Sequence, residues 1–232
     1  MKRILIYKFL IIIILSFIIL LFKTENLVCQ NENKLLKQEV DFYKNELIYN
    51  KCSNISNDYE KNKIIELYSL KPQYTYLFDK MLKFDNLNLL IELSSSYGYD
   101  WLFFVSLIQA ESNFDASAIS KTNAQGLMQI TKWVYANDTD PLNEIHNIFV
   151  GISYYDFLYN KFSNSGKYSK KDLEKFTLAS YNFGYSKIKE LQKQAELEGK
   201  NKYKFSNIED KLPSDVTYYV NKITKLYYNL IT

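Results

Sequence analysis

The sequence predicts an all-α protein carried behind an apolar amino-terminal segment, and three observations lead to that expectation. Glycine (6) and proline (3) are scarce in 232 residues, whereas an all-β fold needs many more turn residues. From about residue 62 onward, apolar side chains recur at helical spacing. The interruptions fall at glycines, notably Gly98 and Gly126. Hydrophobic residues (47%) suffice for a core, and the charged fraction (24%) is too low for global disorder. A net charge of +3 with no strongly basic face argues against a nucleic-acid partner. The single histidine, His146, without a G-x-S-x-G motif, argues against a Ser-His-Asp hydrolase. One histidine with two cysteines, Cys29 and Cys52, is also too little for a His/Cys zinc centre. His146 reads as an ordinary helix residue, and the two cysteines can pair in an oxidising compartment.

The elements follow in order. "MKRILIYKFLIIIILSFIILLFK" opens with Lys2 and Arg3 and runs apolar from Ile4 to Phe22, broken by Tyr7 and Lys8. Its charge-free part is shorter than the roughly 20 residues of a full span, but with Lys8 snorkelling the length from Ile4 suffices. Positive charge ahead of it orients the start inward and exports the rest. No small-x-small cleavage site follows Phe22, which favours a retained anchor over a removed signal peptide. Lipidation of Cys29 is a third route, disfavoured by the bulky Val28 before it. Residues 23–74 read as a polar spacer in which Leu36, Val40, Tyr43 and Leu47 mark a short amphipathic helix. "DNLNLLIELSSSYG" is a helix stopped by Gly98. "YDWLFFVSLIQAESNF" is the next, with Trp101, Phe104, Leu107 and Ile108 on its apolar face. "DASAISKTNAQG" reads as a loop, and "LMQITKWVYA" as a further helix behind Gly126.

Glu111 continues the apolar face of its helix and falls at the helix end. A carboxyl there, walled by Phe114 and Met128, is partly desolvated, which raises its pKa toward the range a general acid needs. Asp115, Asp138 and Asp140 read as turn and cap residues.

The segment from Glu111 resembles the soluble-lytic-transglycosylase (SLT) family of peptidoglycan-cleaving enzymes, relatives of goose-type lysozyme. The family's E-S-x-F-(D/N)-P-x-A-x-S and A-x-G-L-M-Q-(I/L) blocks correspond to Glu111, Ser112, Phe114, Asp115, Ala118 and Ser120, then Ala124, Gly126, Leu127, Met128, Gln129 and Ile130. Three more blocks follow in the family's order: Asn147, Ile148, Gly151 and Tyr154; Ala179, Tyr181, Asn182 and Gly184; Pro213, Asp215, Tyr219 and Val220. Ala116, Asn123, Ser180, Phe183 and Val216 depart from the pattern, and Phe183 places bulk beside the expected cleft.

The resemblance implies a lysozyme-like helical lobe over 75–232, with room for a small β-hairpin between 112 and 125. Its cleft would lie between the helix bearing Glu111 and the segments bearing Gln129 and Asn182. Glu111 would be acid and base in turn. Ser112 and Ser120 would orient it or the substrate, Met128 would pack over the carboxylate, and Gln129 would contact the sugar. Tyr181 would hydrogen-bond near Glu111, Asn182 would bind an acetamido or hydroxyl group, and Tyr219 would line the cleft wall. Ser120 equally reads as a turn cap, and Gly126 and Gly151 as backbone necessities.

The implied substrate is the MurNAc-GlcNAc β-1,4 bond of peptidoglycan glycan strands, cleaved with formation of a 1,6-anhydro ring, without metal or cofactor. The setting is periplasmic, at the inner membrane. Two rivals stay open: a lysozyme-like muramidase using water, with Asp138 or Asp140 as second acid, and a catalytically silent glycan-binding module. The amino terminus carries the first prediction: residues 1–22 remain on the mature protein. Edman sequencing of protein from membranes should begin before residue 22, and a start beyond it refutes the anchor.

Overall fold

The structure, a computed structural model, describes residues 70–134 and 140–232, together with Lys63, Glu66 and Leu67. The expected anchor at 1–22, the amphipathic helix around Leu36–Leu47, both cysteines and Asp138 lie outside the described residues. Among the described residues, no helix is long and apolar enough to cross a membrane.

Seven α-helices make up the described lobe, as the all-α expectation required. A 3-10 turn at Pro72–Tyr74 leads into α1 (Thr75–Leu82), and α2 (Leu87–Ser96) follows. Helix α2 stops at Gly98, whose φ of 78° is open to glycine at no steric cost. The Asp100 carboxylate accepts the Leu102 N–H at 3.0 Å and so caps α3 (Trp101–Glu111). Asn143 caps α4 (Glu144–Ser163) by accepting the His146 N–H. Ser169 caps α5 (Lys170–Phe183), accepting the Asp172 N–H and donating its hydroxyl back to the Asp172 carboxylate. Gly184 breaks the chain between α5 and α6 (Tyr185–Leu197), and Pro213 precedes the last helix, α7 (Ser214–Ile231).

Helix α3 is the axis of the lobe. The sequence shows it as apolar on one face, but every residue from Trp101 to Ile108 is buried. It lies against α7 and α2, while α5 packs on α4, α6 and α7. A helix enclosed on all sides tolerates an internal hydroxyl only if it is bonded, and Ser106 donates to the Leu102 carbonyl at 2.8 Å. Most of the abundant aromatic side chains go to this core. Phe103, Phe104, Tyr155 and Tyr99 interlock largely edge to face, with ring centroids 4.9–5.6 Å apart. The packing also reaches ahead of α1. Leu67 is buried in the same core, and the Lys71 ammonium donates to the Asn229 carbonyl at 2.6 Å.

The helix expected over "LMQITKWVYA" does not form in its described part. Residues 126–129 are a tight turn, and only Lys132–Val134 make a 3-10 turn. Gln125 and Ile130 exchange two backbone hydrogen bonds of 3.0 Å across that turn, and Gln129 sits at φ 49°, which no right-handed helix admits. The hairpin between 112 and 125 shrinks to isolated antiparallel bridges, Ile119 with Gln125 and Gln125 with Ile130, with no strand among the described residues.

Two glycines seat this loop on α4. Gly126 has φ 75°, and a Cβ there would meet the Asn147 amide at 2.3 Å. At Gly151, on α4, a Cβ would fall 2.3 Å from the Met128 sulfur and 2.8 Å from its Cβ. Gly151→Ala should therefore destabilise the lobe by about 1–3 kcal/mol through overpacking. Urea unfolding measures it, and Met128→Ala in the same background should recover part of the loss; an unchanged midpoint in the single variant contradicts this packing.

Candidate active site

Glu111 is the last residue of α3, and α7 supplies its direct partner. The Tyr219 hydroxyl donates to Glu111 Oε1 at 2.6 Å. Tyr219 is 9% exposed, whereas Glu111 retains part of its surface. Desolvation pushes the Glu111 carboxyl up to about 7. The Tyr219 bond and the field of Lys222, one turn further along α7, pull the other way and fall short of cancelling it. The carboxyl can thus both hold and release a proton near neutrality. Immediately after it, Asn113 (φ 56°) and Phe114 (φ 64°) sit in the left-handed region, which is costly for a residue as bulky as phenylalanine. Phe114 is held there edge-on against Phe84, with centroids 5.7 Å apart, and the Lys80 ammonium takes the Asn113 carbonyl at 2.8 Å.

The 112–131 segment is fastened to α4 through Asn147, a wholly buried amide. Its Oδ1 accepts the Met128 N–H at 2.7 Å, and its Nδ2 donates to the carbonyls of Gln125 (2.8 Å) and Pro141 (2.9 Å). The sequence reading placed Asn147 in a matching block but gave it no role. The available signal was an asparagine one turn ahead of Gly151 in an otherwise apolar run. On the other side, Tyr181 donates its hydroxyl to the Met128 carbonyl at 2.9 Å.

Gln129, Tyr181 and Asn182 come together on one cleft of about 210 Å³, with Tyr154, Phe183 and Val134 in its walls. Phe183 does bring bulk to this cleft, and Lys187 stands 4.3 Å over its ring. Glu111 is not one of the lining residues. Gln129 commits its amide nitrogen to the carbonyls of Ala118 and Gly126, which leaves its Oε1 as the group to offer a ligand.

Other expected roles shift. Met128 is fully buried, and its sulfur packs over Gly151. Tyr181 reaches the Met128 backbone, and Tyr219 is the residue that touches Glu111. The Ser120 hydroxyl accepts the Ala124 N–H at 2.9 Å and meets Thr122, so it closes the loop as a turn cap. Ser112 is buried with its hydroxyl turned back to the Ile108 carbonyl at 3.3 Å. Asp140, one of the two candidate second acids, accepts the Leu142 N–H at 2.9 Å and caps a turn. Ser180 is fully buried, and its hydroxyl has no partner among the described residues.

A family model, the Transglycosylase SLT domain, matches residues 88–204. The chain belongs to this family. The SLT domain here is 32% identical over 128 residues to the membrane-bound lytic murein transglycosylase F of Desulfosudis oleivorans, covering 54% of this chain and 28% of that protein. It is 30% identical over 125 residues to the protein of the same name from Stutzerimonas stutzeri, covering 53% of this chain and 25% of that one. The chain thus spans about a quarter of the length of the curated relatives it matches. In fold it is similar to the lytic transglycosylase Slt of Pseudomonas aeruginosa, with a TM-score of 0.50 at 16% identity over 61% of this chain and 23% of that one. The family match ends before α7, so Tyr219 stands outside the matched residues.

The Glu111–Tyr219 bond is open to direct test. Removing the hydroxyl deletes an interaction that favours the carboxylate, so Glu111 should titrate above its present value of about 7 in Tyr219→Phe. Carboxyl 13C chemical shifts in glutamate-labelled protein report this, and an unchanged or lower midpoint would show that the bond does not tune the acid.

Proposed function

We propose that this SLT domain is a peptidoglycan lytic transglycosylase that cleaves the MurNAc-GlcNAc β-1,4 bond and leaves 1,6-anhydro-MurNAc ends. The observation that carries the reading is the Glu111 carboxyl, desolvated to about 7 and bonded to a neutral tyrosine, with no carboxylate among the described groups that act on it. Glycosidases that use water ordinarily need two carboxylates. Asp140 is engaged in its turn, and the bond to Glu111 comes from a phenol.

In the first half-reaction the protonated Glu111 gives its proton to the glycosidic oxygen as the bond to the anomeric carbon breaks. In the second, the carboxylate takes the proton of the muramyl 6-hydroxyl while that oxygen bonds to the same carbon. The proton count closes and no water is consumed. Tyr219 and Lys222 both favour the carboxylate, so they assist the interval when Glu111 is charged. Gln129 and Asn182 would hold the sugar's polar groups along the cleft and Phe183 would restrict its width. Ser112, Ser120, Met128 and Tyr181 would act by fixing the loop.

The names of the relatives, the basic-then-apolar start and the missing cleavage signal together support a tether at the cytoplasmic membrane over 1–22. A spacer over 23–74, whose Leu67 already packs into the core, would then hold the domain of 75–232 on the outer side, where peptidoglycan is.

Glu111→Gln keeps the shape and removes the transferable proton. General acid-base catalysis is worth about 10²–10⁴ in rate. One group serves both steps here, so activity on purified sacculi should fall to the top of that range or beyond. Mass spectrometry of the wild-type products should show muropeptides one water lighter than muramidase products. Reducing ends instead would establish the hydrolase, and binding without release would establish a silent module. Stability gives an independent check. Because folding raises this pKa, the native state holds a proton the unfolded chain has lost between about 4.5 and 7, and stability drains away as pH rises through that window. Above pH 7 the Glu111→Gln domain should be the more stable, by on the order of 1–3 kcal/mol after discounting for partial exposure.

A further inference from the structure

A second cavity, of about 240 Å³, lies at the other end of α3, where the α2–α3 turn meets α4, α5 and α7. Its floor includes Tyr155, which is 1% exposed and whose hydroxyl makes no hydrogen bond among the described residues, although its ring is held by Phe103, Phe104 and Tyr99. As a lining residue of the cavity, Tyr155 can turn that hydroxyl to a ligand or to water. Glu174 is 6% exposed and lines the same cavity. Its Oε2 accepts the Tyr228 hydroxyl at 2.7 Å, and among the described residues its second oxygen takes no hydrogen bond. Asp156, bonded to Tyr99 at 2.8 Å and to Asn160 at 2.9 Å, and Asp100 add two more carboxylates to the lining, against one cation, Lys170. Tyr159 and Tyr227 add further hydroxyls, and aromatic faces form much of the wall.

We propose that this cavity is an accessory binding site for a primary ammonium group, such as the side-chain amine of a diamino acid. An ammonium presents three donors and no acceptor, which suits the second Glu174 oxygen and the oxygens of Tyr155 and its neighbouring tyrosines. Three carboxylates, with Lys170 in the lining and Lys171 also acting on Glu174, leave room for one more positive charge, and tyrosine faces attract cations. Burial pushes both Glu174 and Asp156 upward, and a cation between them would relieve that cost. A neutral polyol has the hydrogen-bonding groups but would leave the charge uncompensated. The site shares no residue with the Glu111 region, and the inference does not rest on the proposed reaction.

The test is calorimetric titration of the full chain in detergent with 1,5-diaminopentane, with glycerol as neutral control. Parallel arms use a lysine-containing and a diaminopimelate-containing muropeptide, each with and without the free amine acetylated. Saturable binding of the diamine but not the polyol is expected. Muropeptide binding that acetylation abolishes would place the amine source on a peptide stem, whereas diamine binding alone would place it in the free pool. Tyr155→Phe removes only the unpartnered hydroxyl and should weaken diamine binding about tenfold, the size of a charge-assisted hydrogen bond, with unchanged unfolding in the absence of ligand. Glu174→Gln should weaken it further, and neither variant should alter the Glu111 titration. No diamine binding, equal binding of glycerol, or binding indifferent to both substitutions overturns the proposal. So does a loss of ligand-free stability in Tyr155→Phe, because the hydroxyl would then have a structural task.

Discussion

Met128 and Gln129 stand where they do because one buried amide on α4 ties separate runs of backbone together. The 112–131 segment has no strand and no α-helix to satisfy its polar groups, so each must find a partner individually. Asn147 meets that demand at Gln125, Met128 and Pro141 with a single side chain. The arrangement works only if the loop can come within reach of α4, which is why glycine stands at 126 and 151. A methyl group at either would collide with the bracket itself or with Met128. With the loop seated, the Met128 carbonyl becomes a fixed acceptor for Tyr181, and the wall formed by Gln129 and Asn182 acquires its shape. A packing constraint on α4 thus sets the geometry of the cleft.

The carboxyl of Glu111 is governed by an opposition of the same kind. Burial at the end of α3 disfavours its charge, and Tyr219 with Lys222 favours it. Were desolvation alone to act, the group would be an acid unable to let go. Were the tyrosine and lysine to win, it would be an ordinary ionised surface glutamate. Neither prevails near neutrality, and that balance is a property of the α3–α7 contact as a whole. Glu111 and Tyr219 are far apart in sequence, so only the docking of the last helix beside the third brings them within 2.6 Å.

This explains what the sequence disclosed and what it withheld. Helix α3, the stop at Gly98 and the importance of Glu111 were legible because they depend on local periodicity, glycine and a compact run of matching residues. The turn at 126–129 was misread as helix because Leu127, Met128 and Ile130 are apolar and carry no breaker after Gly126. Their conformation is imposed from outside, by the Gln125–Ile130 bonds and by Asn147. Tyr219 was expected in the cleft wall, but its partner could not be read from a block of four residues. Ser120 was legible both as ligand and as cap, and the 2.9 Å bond from Ala124 shows the cap. Ser180 remains a departure with a visible cost, a buried hydroxyl with no partner among the described residues where an alanine would need none.

Enclosure of α3 on every side has a further consequence for how the lobe is used. A helix buried from Trp101 to Ile108 is held along most of its length, and its eleven residues span about 16 Å at 1.5 Å per residue. Glu111 terminates one end, and Asp100, the cap of the other, lines the tyrosine-walled cavity. The two polar sites are therefore kept at a fixed separation by this buried helix. Both also draw on α7, which contributes Tyr219 beside Glu111 and Tyr227 to the distant cavity. A ligand that shifted α7 on α3 would be felt at Glu111 through the Tyr219 bond. One that left the helices in place would act only by holding its carrier near the acid. The edge-to-face Phe103–Tyr227 contact between these two helices favours the second behaviour, since a close-packed core resists small sliding displacements.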